Sequence, residues 1–492
     1  MEPNFALNLP AAEPGSRRLL ASLHGALHEA IVNGRLAPGQ RLPSTRDLAR
    51  LAGVSRNTAI AAYERLASEG YVEAAGSAGT RVAPHAGRAA PAAARTASAV
   101  QAPWRANPWF AAGAEVWPAQ AARRAAPALL ALRTGVPSVQ QFPFAVYRRL
   151  VARVLRQQAR EPAAYADAQG QPALRHAIAA HVSAARAVAC GADDVIVTAG
   201  AQQAFDLLAR VLVTPRQTPV AMEDPGYPPL RAALAAAGAR LVPVPVDDEG
   251  LRVDRLPRAC RVICVTPSHQ FPLGMAMSAA RRRALLAAAA QRGAVVIEDD
   301  YDGEYRFTGR PLDALKTLDE DGRVFYVGTF SKTMFPDLRL GYIVAPAWAR
   351  DALLRAKRIA DSGQCRHTQD AVAAFIAEGH LLRHVRRMTR VYAERRQCLV
   401  DELQRQFGPQ ARVLPALAGL NLAVLLPEVS DTEPLAREAA ALGVGIEPLS
   451  RYTARGRDPA CGPGLVLGYG GIETRHIAEA VRRLRRACRR VT

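Results

Sequence analysis

Only three side chains in this sequence carry a primary amine, Lys316, Lys332 and Lys357; every other member of its 64 basic residues is arginine. Lys332 stands in GTFSKTMFPDLRLGY (328–342), just past a short apolar run that reads as a strand. A lysine in a partly desolvated site loses its proton more readily and can condense with an aldehyde. An always-protonated guanidinium cannot do so. Arg339, in the same run, can reach an anionic group held beside that lysine, and Thr329 and Ser331 supply hydroxyls. In VTAGAQQAF (197–205) a glycine separates a strand from a helix, so the free amides around Ala201 and Gln202 can cradle a phosphate. Asp299 closes a strand in AVVIEDD (294–300). An aspartate facing a pyridine nitrogen keeps it protonated and makes the ring an electron sink. Tyr301 can bond a phenolic oxygen on such a ring, and Tyr227, in DPGYPPLR, can stack on it. Taken singly these are a helix cap, packing aromatics and a surface charge. Their place at successive strand ends is what points to one site for a phosphorylated pyridine aldehyde.

The elements that must position them alternate from about residue 130 onward. VIVTAG (195–200), VAMED (220–224), VICVT (262–266), AVVIEDD (294–300) and VFYVGTF (324–330) are short apolar strands, and amphipathic helices lie between them. This pattern predicts a mostly parallel sheet covered on both faces, with ligands at the carboxyl ends of its strands. From about 385 the character changes to helical pieces with strands at LNLAVLL (420–426) and LVLGYG (465–470). The expectation is an α/β domain over 131–492 whose last part, 385–492, is a smaller α+β subdomain.

Residues 1–84 read as a separate module. Leu19, Leu23, Leu27 and Ile31 line one face of a first helix over 17–37. Ser44 can cap a second helix with Leu48 and Leu51 as its apolar face, Gly53 allows a tight turn, and Ser55 can cap a third helix carrying Ile60, Tyr63 and Leu66. Two strands turning between Gly76 and Gly79 would add a wing. The third helix opens with Arg56, Asn57 and Thr58, where a recognition helix meets base edges. Arg41, Ser44, Thr45 and Arg46 suit phosphates. The segment LAPGQRLPSTRDLARLAGVSRNTAIAAYERLASEGYVEAAGSAGTRV resembles the winged helix-turn-helix of GntR-type bacterial transcription regulators. The resemblance implies a double-stranded DNA operator as partner, read by Arg41, Arg46, Arg56, Thr58 and the wing.

Composition excludes several classes. The net charge of +20 suggests a polyanionic partner without locating it. No apolar run approaches the roughly 20 residues of a membrane span, and MEPNFALNLP lacks the features of a signal peptide. Seven scattered cysteines without a CxxC pair indicate neither a disulfide framework nor a metal site. A cytoplasmic location is therefore expected. Residues 85–130, rich in Ala, Pro and Arg, read as a linker. Its Trp104, Trp109, Phe110 and Trp117 imply that the later part docks on the folded body.

The large region resembles the fold-type-I aminotransferases, and within them the MocR/GabR subfamily, which joins a GntR-type module to an aminotransferase-like domain. The matches are YADAQGQPALRHAI (165–178), EDPGYPPLR (223–231), TPSHQFPLG (266–274), EDDYDGEYRF (298–307) and GTFSKTMFPDLRLGY (328–342). The resemblance implies pyridoxal 5'-phosphate held as an aldimine by Lys332, with Asp299 on the pyridine nitrogen and Tyr227 on the ring. It implies Tyr301 and a residue of the His269–Gln270 pair at the phenolic oxygen, and Arg339, Thr329 and the Ala201–Gln202 amides at the phosphate. Tyr165 would reach the cofactor of the other subunit in a head-to-tail homodimer. One departure stands out: such enzymes place an arginine for the substrate carboxylate in the strand that here is LVLGYG, and Val466 holds that place. Arg451, Arg455 and Arg457 in the preceding loop are the substitutes, with Arg451 the candidate. The reading is a regulator that senses the cofactor, or an amino compound exchanging with Lys332, and alters operator binding. The alternatives are an active aminotransferase carrying a DNA-binding module, and a repressor whose large domain only dimerises.

Overall fold

The computed structural model describes residues 16–74, 79–86, 107–117, 130–162, 164–307, 313–454, 456 and 461–491. The wing tip expected from Gly76, most of the expected linker with Trp104, and Arg455 and Arg457 lie outside them. The chain forms two compact units, Met1–Trp104 and Arg105–Thr492.

In the first unit α1 (Ser16–Val32), α2 (Thr45–Ala52) and α3 (Arg56–Ser68) precede the antiparallel pair β1 (Val72–Ala74) and β2 (Thr80–Val82). Ser44 and Ser55 are the N-caps of α2 and α3, accepting from the amides of Asp47 and Thr58, and Gly53 ends α2 in the left-handed region. Leu23, Leu27, Ile31, Leu48, Ala59, Ala62 and Leu66 form the core. The Tyr63 hydroxyl donates to the Pro43 carbonyl at 2.9 Å and ties α3 to the loop before α2. Leu51 departs from expectation, since it is 55 % exposed. It lies in the last turn of a two-turn helix, and Leu48, Ala49 and Ala52 make the packing there.

In the second unit α4 (Pro108–Val116) packs on α8 (Pro228–Ala236) so closely that a Cβ on Gly113 would stand 3.0 Å from the Ala232 carbonyl. Trp109 sits against Gly238 with the Arg216 guanidinium 5.3 Å over its ring, whereas Phe110 and Trp117 stay exposed. Helices α5 (Phe144–Gln158) and α6 (Pro172–Arg186) lead into an eight-stranded sheet. Its strands are β3 (Val195–Thr198), β4 (Pro219–Asp224), β5 (Arg240–Asp247), β6 (Gly250–Leu251), β7 (Val262–Val265), β8 (Val295–Asp300), β9 (Val324–Thr329) and β10 (Gly341–Val344), in the order β3-β10-β9-β8-β7-β4-β5-β6. Strands β5, β4, β7, β8 and β9 pair in parallel, and β10 runs antiparallel to both of its neighbours. Helices α7 (Ala201–Leu212), α8 and α9 (Ala279–Arg292) belong to the crossovers, α10 (Arg350–Ala360) follows the last strand of the sheet, and apolar clusters lie on both faces of the sheet. After α11 (Arg366–Ala377), the long α12 (His380–Phe407) buries Leu381, Val385, Met388, Tyr392, Leu399, Leu403 and Phe407, a spacing of one helical face. Strands β11 (Arg412–Val413), β12 (Asn421–Leu425), β13 (Glu447–Pro448) and β14 (Gly464–Gly468), with α13 (Thr432–Ala441) and α14 (Thr474–Val491), complete a smaller antiparallel α+β part ordered β11-β12-β14-β13.

Candidate functional site

Residues on a strand alternate between its faces, so the acidic run at the end of β8 sends its carboxylates to different tasks. Glu298 accepts the amides of Leu315 (2.7 Å) and Lys316 (2.8 Å). Asp300 is buried against Arg186, whose Nε donates at 2.6 Å, and it also accepts the Tyr326 hydroxyl at 2.7 Å. Asp302 takes His269 Nδ1 at 3.0 Å and the Leu420 amide at 3.1 Å. Asp299 differs: it is buried, yet its Oδ1 has no hydrogen-bond partner among the described residues. Such an atom is costly unless something bound completes it. Burial, then the charges of Asp300 and Asp302, push its carboxyl well above the usual range, while Lys332 pulls the other way.

Lys332 follows β9, and its Nζ donates to the Gly135 carbonyl at 2.6 Å. Gly135 has φ +68°, a conformation that favours glycine, and a Cβ there would stand 2.9 Å from Nζ and displace the tip of the lysine. The Tyr305 hydroxyl donates to the Lys332 carbonyl at 3.1 Å and steadies the turn. Around this centre the Tyr301 hydroxyl donates to the His269 carbonyl (3.1 Å) and lies 2.9 Å from His269 Nδ1. His269 Nε2 is buried without a partner among the described residues. The Phe271 ring stands edge-on to Tyr227 (5.1 Å) and Tyr301 (5.6 Å). At the other end, the Arg339 guanidinium lies over Gly200, the N-cap of α7, and donates to the Ala199 carbonyl at 3.1 Å. The first amides of α7, at Ala201 and Gln202, open beside it. Thr329 Oγ1 and Ser331 Oγ lie 3.0 Å apart in the turn from β9 to Lys332.

Two expected residues are engaged elsewhere. The Gln270 amide is spent on its own loop: Nε2 donates to Glu223 and to the Pro225 and Phe271 carbonyls, and Oε1 accepts from Leu273. Of the His269–Gln270 pair, it is therefore His269 that keeps an uncommitted atom. Arg451 forks onto Glu433, at 2.7 and 2.6 Å, and makes its hydrogen bonds there rather than to the lysine site. Tyr165 is fully exposed.

Sequence reasoning missed Gly135, Asp302, Arg186 and Glu223. Each works through a partner distant in the chain. Glu223 on β4 is buried, with Oε2 accepting from Thr266 Oγ1 at 2.6 Å and Oε1 unpartnered among the described residues. Burial raises its carboxyl from 4.5 to about 7. Because the unfolded chain gives up this proton first, the associated stability is whole below pH 4.5 and falls as pH rises toward 7. Glu223→Gln is expected to remove about 3 kcal/mol of pH dependence between the two values. Denaturant unfolding of both proteins across that range checks it; parallel pH profiles would refute it.

In the first unit Arg41, Arg46, Arg56 and Asn57 are exposed, Thr45 and Thr58 half-buried, and no acidic side chain among the described residues pairs with these arginines. Ser44 and Thr58 also serve the helix starts: Ser44 Oγ donates to Asp47 at 2.6 Å, and Thr58 Oγ1 lies 2.8 Å from Ser55 Oγ.

Sheet order and site together define an aminotransferase-like body, here in one chain with a winged helix-turn-helix. Residues 129–457 match the family described as aminotransferase class I and II, and residues 21–82 match the bacterial regulatory proteins of the gntR family. The chain is 38% identical to the "Probable rhizopine catabolism regulatory protein MocR" of Rhizobium meliloti, over 94% of this chain and 92% of that protein. It is 32% identical to the pyridoxine biosynthesis transcriptional regulator PdxR of Corynebacterium glutamicum, over 90% of each. Among solved structures, the α-aminoadipate aminotransferase LysN of Thermus thermophilus, complexed with N-(5'-phosphopyridoxyl)-L-leucine, superposes with a TM-score of 0.70 at 29% identity, covering 77% of this chain and 97% of that one. The chain belongs to the MocR/GabR subfamily of GntR-type transcription regulators, and its fold implies the use of pyridoxal phosphate.

Proposed function

We propose that the large domain holds pyridoxal phosphate at Lys332 and that occupancy of this site, by the cofactor and by an amino compound exchanging with the lysine, changes operator binding by the N-terminal module. The observation that carries the reading is the buried Asp299 Oδ1 beside Lys332, without a hydrogen-bond partner among the described residues. The remaining donors fit the same group. Bound there, it supplies an aldehyde that condenses reversibly with primary amines. Asp299 holds the proton on the ring nitrogen as the paired anion, and the positive charge of that ring would favour the ionised form of a carboxyl that burial otherwise disfavours. Arg339, the α7 amides, Thr329 and Ser331 hold the phosphate. Tyr227 packs the ring, while Tyr301 and His269, oriented by Asp302, hold a proton at the phenolic oxygen. Tyr165, exposed on one protomer, serves the site of a second copy in a head-to-tail homodimer. A ligand alters DNA affinity only through unequal binding to two arrangements of the protein.

The holoprotein is expected to show a visible absorbance band that Lys332→Ala abolishes, together with any response of DNA affinity to cofactor. A band that survives the substitution, or protein that never takes up pyridoxal phosphate, would sink the proposal. On the DNA side, Arg56→Ala is expected to weaken operator binding by about 1–3 kcal/mol, measured by titration at fixed salt. Unchanged operator affinity would remove Arg56 from the recognition surface. Retained Lys332 and Asp299 also favour a second reading, a working aminotransferase. Repeated conversion of an amino acid and a keto acid by the holoprotein would establish it.

A further inference from the structure

Half of the net charge of +20 sits on two helices. Helices α12 and α14 hold 14 arginines against four acidic residues, whereas residues 17–84 hold nine against five. The density is greatest on α14, with seven arginines and one glutamate in 18 residues. Replacement of lysine by arginine along the chain does not explain this surplus, because it leaves the sign of each position unchanged. The helix is divided lengthwise. Ile477, Ala480, Val481, Leu484, Ala487 and Cys488 are buried, with α12 and α13 packed alongside. Arg475, Arg482, Arg486 and Arg489 recur at intervals of seven, four and three, which puts them on one face, and all four are exposed. At 1.5 Å per residue that stripe is about 21 Å long. Three carboxylates among the described residues pair with α14. Glu473 takes Arg475 at 2.8 Å, Glu479 takes Arg482 at 2.7 Å and Arg483 at 2.6 Å, and Glu438 takes Arg490. Arg485 lies 5.0 Å over the Phe407 ring. Arg486 and Arg489 have no acidic partner among the described residues.

Such a surface fits a polyanion. A basic amphipathic helix can also lie on a membrane, but that needs a free apolar face, and here that face is buried in the core. What α14 offers outward is charge in a line, and a duplex presents one phosphate per about 3.4 Å of axis on each strand, about six along the stripe. The exposed pairs at Arg475 and Arg482 are no obstacle, since a solvated ion pair is worth under about 1 kcal/mol and a guanidinium bonds a phosphate as readily as a carboxylate. The winged helix-turn-helix is on the same chain, so DNA held there is presented to the large unit at a high effective concentration. We infer that the exposed face of α14 is a second DNA-contacting surface, which grips the phosphates of duplex flanking the operator without reading their sequence. The inference rests on the DNA-binding reading above.

The test uses the full chain and an operator duplex of about 25 bp that it selects from a random pool, alone or extended by arbitrary sequence on both sides. Affinity is titrated across salt concentrations. The extended duplex is expected to bind more tightly, with log K falling more steeply against log salt by about 0.9 for each added phosphate contact. Arg486→Gln combined with Arg489→Gln should lower that slope by about 1–2, weaken the extended complex about tenfold at low salt, and leave the short duplex bound as by wild type. Arg486→Lys combined with Arg489→Lys should keep the wild-type slope, since an ammonium serves a phosphate as a point charge. Equal affinity and slope for the two duplexes in wild type would overturn the inference. So would a glutamine variant with the wild-type slope on the extended duplex, one that loses the short duplex equally, or a lysine variant as weak as the glutamine one. Failure of the DNA-binding reading looks different, because no duplex is then selected at all.

Discussion

Gly419→Ala is expected to strip the large domain of its cofactor site while leaving the DNA-binding module folded. Gly419 has φ +81°, and a Cβ there would overlap both His269 and Asp302. Its amide donates to the Tyr305 carbonyl at 2.7 Å, and Tyr305 in turn steadies Lys332. The neighbouring Leu420 amide donates to Asp302. A shift large enough to relieve the overlap pulls on both arms at once, the Asp302–His269–Tyr301 chain and the Tyr305–Lys332 contact. Left-handed backbone on a non-glycine residue and overpacking together cost about 3 kcal/mol or more. The expected readings are a pyridoxal phosphate affinity at least tenfold weaker in spectroscopic titration, and unchanged affinity of the cofactor-free protein for its operator. Wild-type cofactor affinity in the alanine protein would show that His269 and Asp302 do not support the site.

Arg186→Ala is expected to cost the most stability of any single change outside the site. Arg186 and Asp300 are both buried, and the guanidinium also donates to Ser268 and to the Gly303 carbonyl. Removing it leaves the Asp300 carboxylate in a dry interior without its ion-pair partner, with the Tyr326 hydroxyl as its remaining hydrogen bond among the described residues. Breaking such a pair costs about 3–5 kcal/mol. That corresponds to a fall in Tm on the order of 5–10 °C for a domain of this size. Asp300→Asn added to Arg186→Ala should recover part of the loss, because the stranded charge is then gone. A melt of the single variant within a degree of wild type would contradict this account.

Much of this was legible in the residues, and the physical reason differs by region. Ser44, Gly53 and Ser55 act within a few residues of themselves, so the helix-turn-helix can be read from local rules. Strand ends were legible at β3, β4, β7, β8 and β9 because each buried apolar run stops at a polar residue. Strand β10 escaped, since GYIV carries no polar stop and its place between β3 and β9 is set by partners distant in sequence. For the site, Lys332, Asp299 and Arg339 were legible by type and position. The division of labour within EDDYDG was not: whether an aspartate meets Arg186, His269 or nothing depends on chain folded in from elsewhere. Gln270 shows the same limit from the other side, for its composition allows a ligand contact and its loop consumes it.

The scarcity of lysine makes covalent occupancy countable. Lys316 is bonded to Asp319 at 2.8 Å and Lys357, fully buried, to Asp361 at 2.9 Å, so both have structural employment. A protease that cuts only after lysine finds three places in the chain, and the middle one is Lys332. Once any adduct there is fixed by reduction, the stretch from Thr317 to Lys357 survives digestion whole; with the amine bare, it is cut in two. The fraction of uncut peptide is then a direct count of how many molecules held something on that nitrogen, whatever its colour.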